Sequence, residues 1–218
     1  MPNGIVTKIR QWRRKLRWLL GRGWSAEDFA QRYGNSGGDA WGYRGASKHQ
    51  RRAEWIVSAL PDRRFAKALE VGCAQGFLTE RFAERADRVI ACDISAEAIR
   101  QARENGGAPP HVEFRVADIR AGFPDTGFDL CVFSDVLYYL SRRETDAVLN
   151  EAAQKTTVGG VLLIVNEWNA NARGLTPPTY AFRKLDDDPR WEPVSASRAP
   201  FGEAELSMGL YFRRLPGA

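Results

Sequence analysis

The chain reads as an α/β protein built on a mostly parallel, seven-stranded sheet, with helices on both faces and an antiparallel hairpin at its C-terminal end. Three observations lead there. From Lys67 onward, short apolar runs alternate with amphipathic runs across short connections, the pattern of parallel strands joined by crossover helices. The first apolar run, Ala68 to Val71, ends at Gly72-Cys73-Ala74-Gln75-Gly76, and a helical run follows directly. That is the strand, glycine turn and helix of a nucleotide-binding βαβ unit. The last two extended runs, 191–198 and 206–214, have no convincing helix between them, so they pair as neighbours running in opposite directions.

Each element follows from its residues. Within residues 5–20, Ile5, Ile9, Trp12, Leu16, Leu19 and Leu20 share one helical face and arginines the other, an amphipathic helix that Gly21 and Gly23 end. Gly34-Asn35-Ser36-Gly37-Gly38 is a flexible loop. Residues 46–60 read as a second helix closed by Pro61. Then come strand 67–71, helix 76–86, strand 88–93, helix 95–105, strand 112–117, strand 128–134, helix 142–155 and strand 161–167. Residues 1–45 therefore divide off as a basic helix with a lid or loop segment, and residues 46–218 as the domain that carries the chemistry.

Charge is distributed unevenly. The whole chain of 218 residues carries +5. Residues 1–22 hold Lys8, Arg10, Arg13, Arg14, Lys15, Arg17 and Arg22 and no acid. That leaves the rest with 25 basic against 27 acidic residues. The body has no excess of positive charge for a nucleic-acid footprint. The basic helix either docks over the cleft or lies on an anionic membrane surface. No apolar run approaches the ~20 residues of a membrane span, and the N-terminus lacks the apolar core of a signal peptide. Cys73, Cys92 and Cys131 fall at or beside strands; they read as reduced thiols of a cytoplasmic protein without metal-site spacing.

The chemistry sits at strand ends. Gly72 and Gly76 let the backbone turn sharply and approach a ligand without a Cβ in the way. The helix beyond them offers unpaired N–H groups to the ligand. Strand 88–93 ends at Asp93, 21 residues beyond Gly72, where a carboxylate can take both ribose hydroxyls. Strand 112–117 ends at Asp118-Ile119. Asp93 and Asp118 have the alternative role of capping the helices after them.

The order Glu70-x-Gly72-x-Ala74-x-Gly76 resembles motif I of the class I S-adenosylmethionine (SAM) methyltransferases, acidic-x-Gly-x-Gly-x-Gly, with Ala74 at the middle glycine. The resemblance implies a Rossmann-like fold with a reversed final strand, and S-adenosylhomocysteine (SAH) as product. It also implies a cofactor site of Glu70, Gly72, Cys73, Ala74, Gly76, Asp93, Ile94, Asp118, Ile119 and Ser134, with Asp118 receiving the adenine amino group. Asp39 to Ser47, Leu69 to Gly76, and Phe133-Ser134-Asp135-Val136-Leu137-Tyr138-Tyr139-Leu140 resemble the nodulation N-methyltransferase (NodS-like) family over about residues 39 to 170. That family methylates an amino group on a deacylated chito-oligosaccharide, which implies a small-molecule acceptor such as an amino sugar or a sugar-decorated metabolite. The Asn/Asp-Pro-Pro-aromatic run of DNA-base and glutamine methyltransferases is replaced by Ser134-Asp135-Val136-Leu137.

The reaction implied is a direct in-line transfer, in which positioning lowers the barrier by roughly 7–11 kcal/mol. An amine acceptor needs only to be neutral, whereas a hydroxyl needs a base. Candidate groups beside the methyl are Asp135, Tyr138 and His49. Trp41, Tyr43 and Arg44 are expected to close over the cofactor, with Arg44 pairing with its methionine carboxylate. Two other readings stay open: a non-catalytic protein of this fold that binds a partner or membrane through its basic helix, and a nicotinamide-dependent oxidoreductase. The second lacks the pyrophosphate spacing and a Tyr-x-x-x-Lys pair.

Overall fold

The computed structural model describes residues 24–35, 39–42, 47–168, 176–201 and 204–215. The basic helix expected over residues 5–20 lies outside the described residues, as do Tyr43 and Arg44. Among the described residues two helices precede the sheet, α1 (Ala26–Gly34) and α2 (Ser47–Ser58). The alternating core follows as β1 (Ala68–Val71), α3 (Thr79–Ala83), β2 (Val89–Asp93), α4 (Ala96–Glu104) and β3 (Val112–Val116). Next come β4 (Phe128–Ser134), a 3-10 turn at Leu137–Tyr139, α5 (Arg142–Lys155) and β5 (Thr156–Glu167). The chain closes with α6 (Tyr180–Asp186), β6 (Trp191–Phe201) and β7 (Ala204–Arg213).

Seven strands form one sheet in the order β3-β2-β1-β4-β5-β7-β6. β1 to β5 pair in parallel, while β7 runs antiparallel to both β5 and β6. Successive side chains on a strand point to opposite faces, and the two cores sort accordingly. Leu130 and Val132 of β4 join Leu163 and Val165 of β5 on one face, with Ile56 of α2, Phe82 and Ile99. Cys131 and Phe133 join Leu162 and Ile164 on the other, with Val148 and Leu149 of α5 and Trp191. Both faces of the central strands are buried, which explains their near-continuous apolar sequence.

Several boundaries differ from the expectation. The helix expected over 76–86 is shorter, α3; three-residue bonds, Arg81 N–H to Leu78 O (3.1 Å) and Arg85 N–H to Phe82 O (2.9 Å), mix there with four-residue ones, Glu80 N–H to Gly76 O (3.2 Å) and Phe82 N–H to Leu78 O (3.3 Å). β5 begins five residues earlier than expected: Thr156 pairs with Phe128, and an irregularity between Phe128 and Leu130 absorbs the change of register. Helix α6 is not anticipated by the sequence pattern. Nor is α1, where Ser25 and Asp28 form a reciprocal capping box, the Ser25 Oγ accepting from Asp28 N–H and the Asp28 carboxylate from Ser25 N–H (2.8 Å). Among the described residues no helix is long and apolar enough to cross a membrane.

Candidate active site

β1 pairs with β2 on one side and with β4 on the other, so the winding of the sheet reverses between β1 and β4. The loops leaving those two strands diverge, and ligands of such sheets sit in the crevice they leave. A cavity of about 770 Å³ occupies it.

One wall is the turn after β1. Gly72 has φ +74°, and a Cβ built there would collide with a methyl of Val136. Only glycine meets both conditions. Ala74 also adopts a left-handed backbone, φ +51°, at a cost of about 1–2 kcal/mol for a residue with a Cβ. Its N–H donates to Asp93 Oδ2 (3.1 Å), while Ser95 N–H donates to Asp93 Oδ1 (2.8 Å). Burial raises the Asp93 carboxyl to about 6 against the opposing effect of those two donors. Below it, Glu70 is buried and accepts from the Thr79 hydroxyl (2.5 Å). Burial lifts its pKa to about 7, with the nearby Asp93 adding to the rise.

The second wall comes from β3 and α1. Asp118 is gripped by Arg120, whose Nε and Nη2 donate to its two oxygens at 2.8 and 2.6 Å. Arg120 also donates to Trp24 O (3.2 Å), and Trp24 N–H donates to Tyr139 O (3.3 Å). Trp24, Phe29 and Tyr139 pack ring against ring at 5.1–5.2 Å. Further along α1, the Tyr33 hydroxyl accepts from Trp41 Nε1 (2.9 Å), and Tyr33 packs with Ala74. Helix α1 is thereby laid across the glycine turn.

The third wall is polar. Asp135, at the end of β4, has φ +56°. Its Oδ2 pairs with Arg52 of α2, and its Oδ1 accepts from Glu167 N–H (2.8 Å). Arg52 is buried and donates to Ser134 Oγ as well (2.7 Å). One turn earlier, His49 is buried against the ring of Phe201, 5.1 Å away. Burial, with Lys48 and Arg52 adding their positive charge, lowers its pKa to about 4. Tyr138 is buried too, and burial with Asp135, Tyr139 and Glu167 nearby raises its hydroxyl well above the usual value.

The cavity thus brings together Trp41, Gly72, Ala74, Asp93, Ile94, Asp118, Ile119, Ser134, Asp135, Tyr138 and His49 of the residues singled out from sequence. Glu70 and Cys73 do not line it; they sit beneath the turn against a smaller void. Gly76 lies behind it, where its φ of +83° and the Phe114 ring 3.0 Å from a built Cβ account for the glycine. Sequence reasoning missed Arg52, Glu167, Phe201 and the α1 aromatics. Arg52 carried a faint signal, a charged residue on the same helical face as Ala53 and Ile56. Among the described residues no cluster of three or more His, Cys, Asp or Glu side chains is placed to hold a metal.

Comparison with known proteins agrees with this geometry. Residues 69–164 match the model of a methyltransferase domain family. Nodulation protein S of Rhizobium tropici is 32% identical over 127 residues, which cover 58% of this chain and 53% of that protein. A malonyl-acyl-carrier-protein O-methyltransferase of Enterobacter lignolyticus is 32% identical over 149 residues, covering 67% and 56% of the two chains. The chain spans about half the length of the curated relatives it matches. Among solved structures, the N-methyltransferase NodS of Bradyrhizobium japonicum bound to SAH superposes with a TM-score of 0.71 at 20% identity, covering 87% of this chain and 98% of that one. Residues 69–164 thus carry a methyltransferase-domain match, the fold is that of the solved NodS structure, and the chain resembles nodulation protein S.

Proposed function

We propose that this chain transfers the methyl group of S-adenosylmethionine to an amino group of a small molecule, an amino sugar or sugar-containing metabolite being the first candidate. The residues present suit the cofactor: a turn at Gly72 that a Cβ would fill, and a buried carboxylate, Asp93, at the end of the neighbouring strand. Asp93 would hold the ribose, Asp118 and Ile119 the adenine, and the Gly72–Ala74 backbone with Trp41 the remainder. When bound, the cofactor supplies a methyl group already activated on sulfur; the acceptor nitrogen's lone pair forms the new bond and the carbon–sulfur pair stays on sulfur.

The observation that favours nitrogen over oxygen is the state of the three candidate groups. His49, held to a pKa of about 4, is a weak proton acceptor. Asp135 has one oxygen on Arg52 and the other on a backbone N–H. Tyr138 keeps its proton. None of the three is set to deprotonate a hydroxyl, and a neutral amine needs no such help. Their work is to shape and exclude: Tyr138 and His49 wall off water, and Asp135 fixes the end of β4.

The test has two parts. SAH at 100 times its dissociation constant should stabilise the protein by about 2.7 kcal/mol, read by thermal denaturation, with NADH giving no shift. Labelled methyl from SAM should then pass to primary amines in an acceptor panel and not to duplex DNA, RNA or the matched hydroxyl compounds. Stabilisation by NADH alone, or preferred transfer to hydroxyls, would overturn the reading. We also propose that the basic segment, residues 5–20, governs access of the acceptor. Deleting residues 1–22 should raise the acceptor KM and leave SAM affinity unchanged. Loss of binding to anionic vesicles with an unchanged KM would instead mark those residues as a surface anchor.

A further inference from the structure

The polar wall carries more information than its three candidate groups. Among the described residues lining the cavity, four carry carboxyl groups: Asp93, Asp118, Asp135 and Glu167. Three have partners within the fold. Asp93 accepts two backbone N–H bonds, Asp118 is bound by Arg120, and Asp135 is bound by Arg52. Glu167 differs. Its carboxylate forms no salt bridge among the described residues, although it faces a partly enclosed cavity where an opposite charge is worth more than at an open surface.

Its position is set firmly. Glu167 ends β5, and its N–H is held by Asp135 Oδ1 (2.8 Å), while Asp135 N–H donates to Val165 O (2.8 Å). The other oxygen of Asp135 is pinned by Arg52, which reaches in from α2. Three elements, α2, the end of β4 and the end of β5, therefore meet at the Asp135 carboxylate and fix the backbone of Glu167. Tyr138 lies close enough for Glu167 and Asp135 both to influence its hydroxyl. In the sheet, β1 and β4 separate β5, which ends at Glu167, from β2, which ends at Asp93, the residue assigned to the ribose.

We propose that Glu167 is the specificity residue that receives the acceptor's ammonium or amine hydrogens, held in place by the Arg52–Asp135 pair, and that the substrate class is therefore a cationic primary amine and not a neutral polyol. The proposal rests on the N-methyl-transfer reading above and narrows it. A carboxylate in a cleft with no salt bridge among the described residues penalises a hydroxyl-only ligand, which must desolvate it without a compensating charge. An amine that arrives protonated satisfies it. Transfer needs the neutral amine, so the bound ammonium gives up its proton to the Glu167 carboxylate that receives it, His49 being too weak a base to serve.

The experiment uses the full chain loaded with SAH and two matched probe pairs, glucosamine against glucose and ethanolamine against ethylene glycol, with binding followed by titration calorimetry. The wild type should prefer at least one amine over its hydroxyl counterpart by about tenfold or more, the scale of one charge-assisted hydrogen bond. Glu167→Gln, which keeps the shape and removes the charge, should cut that preference to within about twofold, and Glu167→Asp should retain part of it. SAH affinity should stay unchanged in both variants, which shows that fold and donor site survive. Equal binding of amine and hydroxyl by the wild type, or a preference that survives Glu167→Gln, would overturn the proposal. Failure of the wild type to bind SAH would overturn the methyltransferase reading itself, so the two failures are separable.

Discussion

A methyl of Val136 occupies the space where a Cβ on Gly72 would be. The glycine turn after β1 and the segment after β4 thus touch across the switch point of the sheet, and each limits what the other can be. Gly72→Ala should cost about 3 kcal/mol, combining the left-handed backbone penalty with overpacking, and should abolish SAH binding. Val136→Ala alone should cost about 1 kcal/mol for the methyl groups lost from a half-buried site. In the double variant the overpacking disappears and the backbone penalty remains. Urea denaturation of all four proteins measures that coupling. Strict additivity would mean the two segments do not constrain each other.

Glu70 gives a pH signature to the ligand-free protein. Its folded pKa is raised to about 7, from an ordinary value of 4.5. Between those values the folded protein holds a proton that the unfolded chain has released. The stability this contributes is fully present below pH ~4.5 and is lost as pH rises through ~7, on the order of 3 kcal/mol in total. Glu70→Gln mimics the protonated form at every pH. Its melting temperature should match wild type near pH 4.5 and exceed it increasingly toward pH 8. A difference that does not grow with pH would refute the assignment.

The parts of the site legible in the sequence are those where backbone geometry demands a residue type. Gly72 and Gly76 both have positive φ, and a strand-end carboxylate such as Asp93 recurs at a fixed distance because the βαβ unit has a fixed length. Arg52 and Glu167 were not legible, because their roles arise only when distant segments meet. Arg52 and Ser134 are 82 residues apart, and no local pattern encodes that contact. Helix α1 is an intermediate case. Ser25-x-x-Asp28 is a capping signal in plain view, yet the glycines on either side of it make the segment read as loop. The sheet is legible because β4 and β5 carry near-continuous apolar runs buried on both faces.

Arg52 is the strut between α2 and the β4 end, and its removal should separate structure from chemistry. Arg52→Met leaves Asp135 with one partner in a site where its side chain is 25% exposed. The expected loss is ~3 kcal/mol, at the low end for breaking a buried pair. Arg52→Met combined with Asp135→Asn removes the stranded charge and should recover at least about half of that loss. SAH affinity should change little in either variant, because Asp93 and the glycine turn are untouched. Acceptor turnover should fall in both, since Glu167 N–H loses its fixed partner or the partner loses its anchor. Denaturation of the single and double variants, with SAH titrations alongside, decides it. A single variant as stable as wild type would remove Arg52 from this role.

With Asp93 as the proposed ribose ligand, cofactor binding should follow pH. Its carboxyl is raised to about 6 by burial, and only the ionised form accepts hydrogen bonds from both ribose hydroxyls. Each such bond contributes roughly 1.5–3 kcal/mol. Binding at pH 5 therefore requires the loss of a proton from most molecules, while at pH 8 the site is already ionised. The SAH dissociation constant should rise about tenfold between pH 7 and pH 5, following a group near pH 6, and calorimetry in buffers of different ionisation enthalpy should show proton release at pH 5 and none at pH 8. Asp93→Asn retains the shape without the charge: its affinity should be at least tenfold weaker at pH 8, and its pH dependence should be flat. Asp93 Oδ2 also accepts from Ala74 N–H (3.1 Å). An asparagine amide with its oxygen turned to that donor preserves the glycine turn, so a variant with wild-type stability isolates the charge effect. Affinity of the Asp93→Asn variant within threefold of wild type, or an unchanged pH profile, would take Asp93 out of the cofactor site.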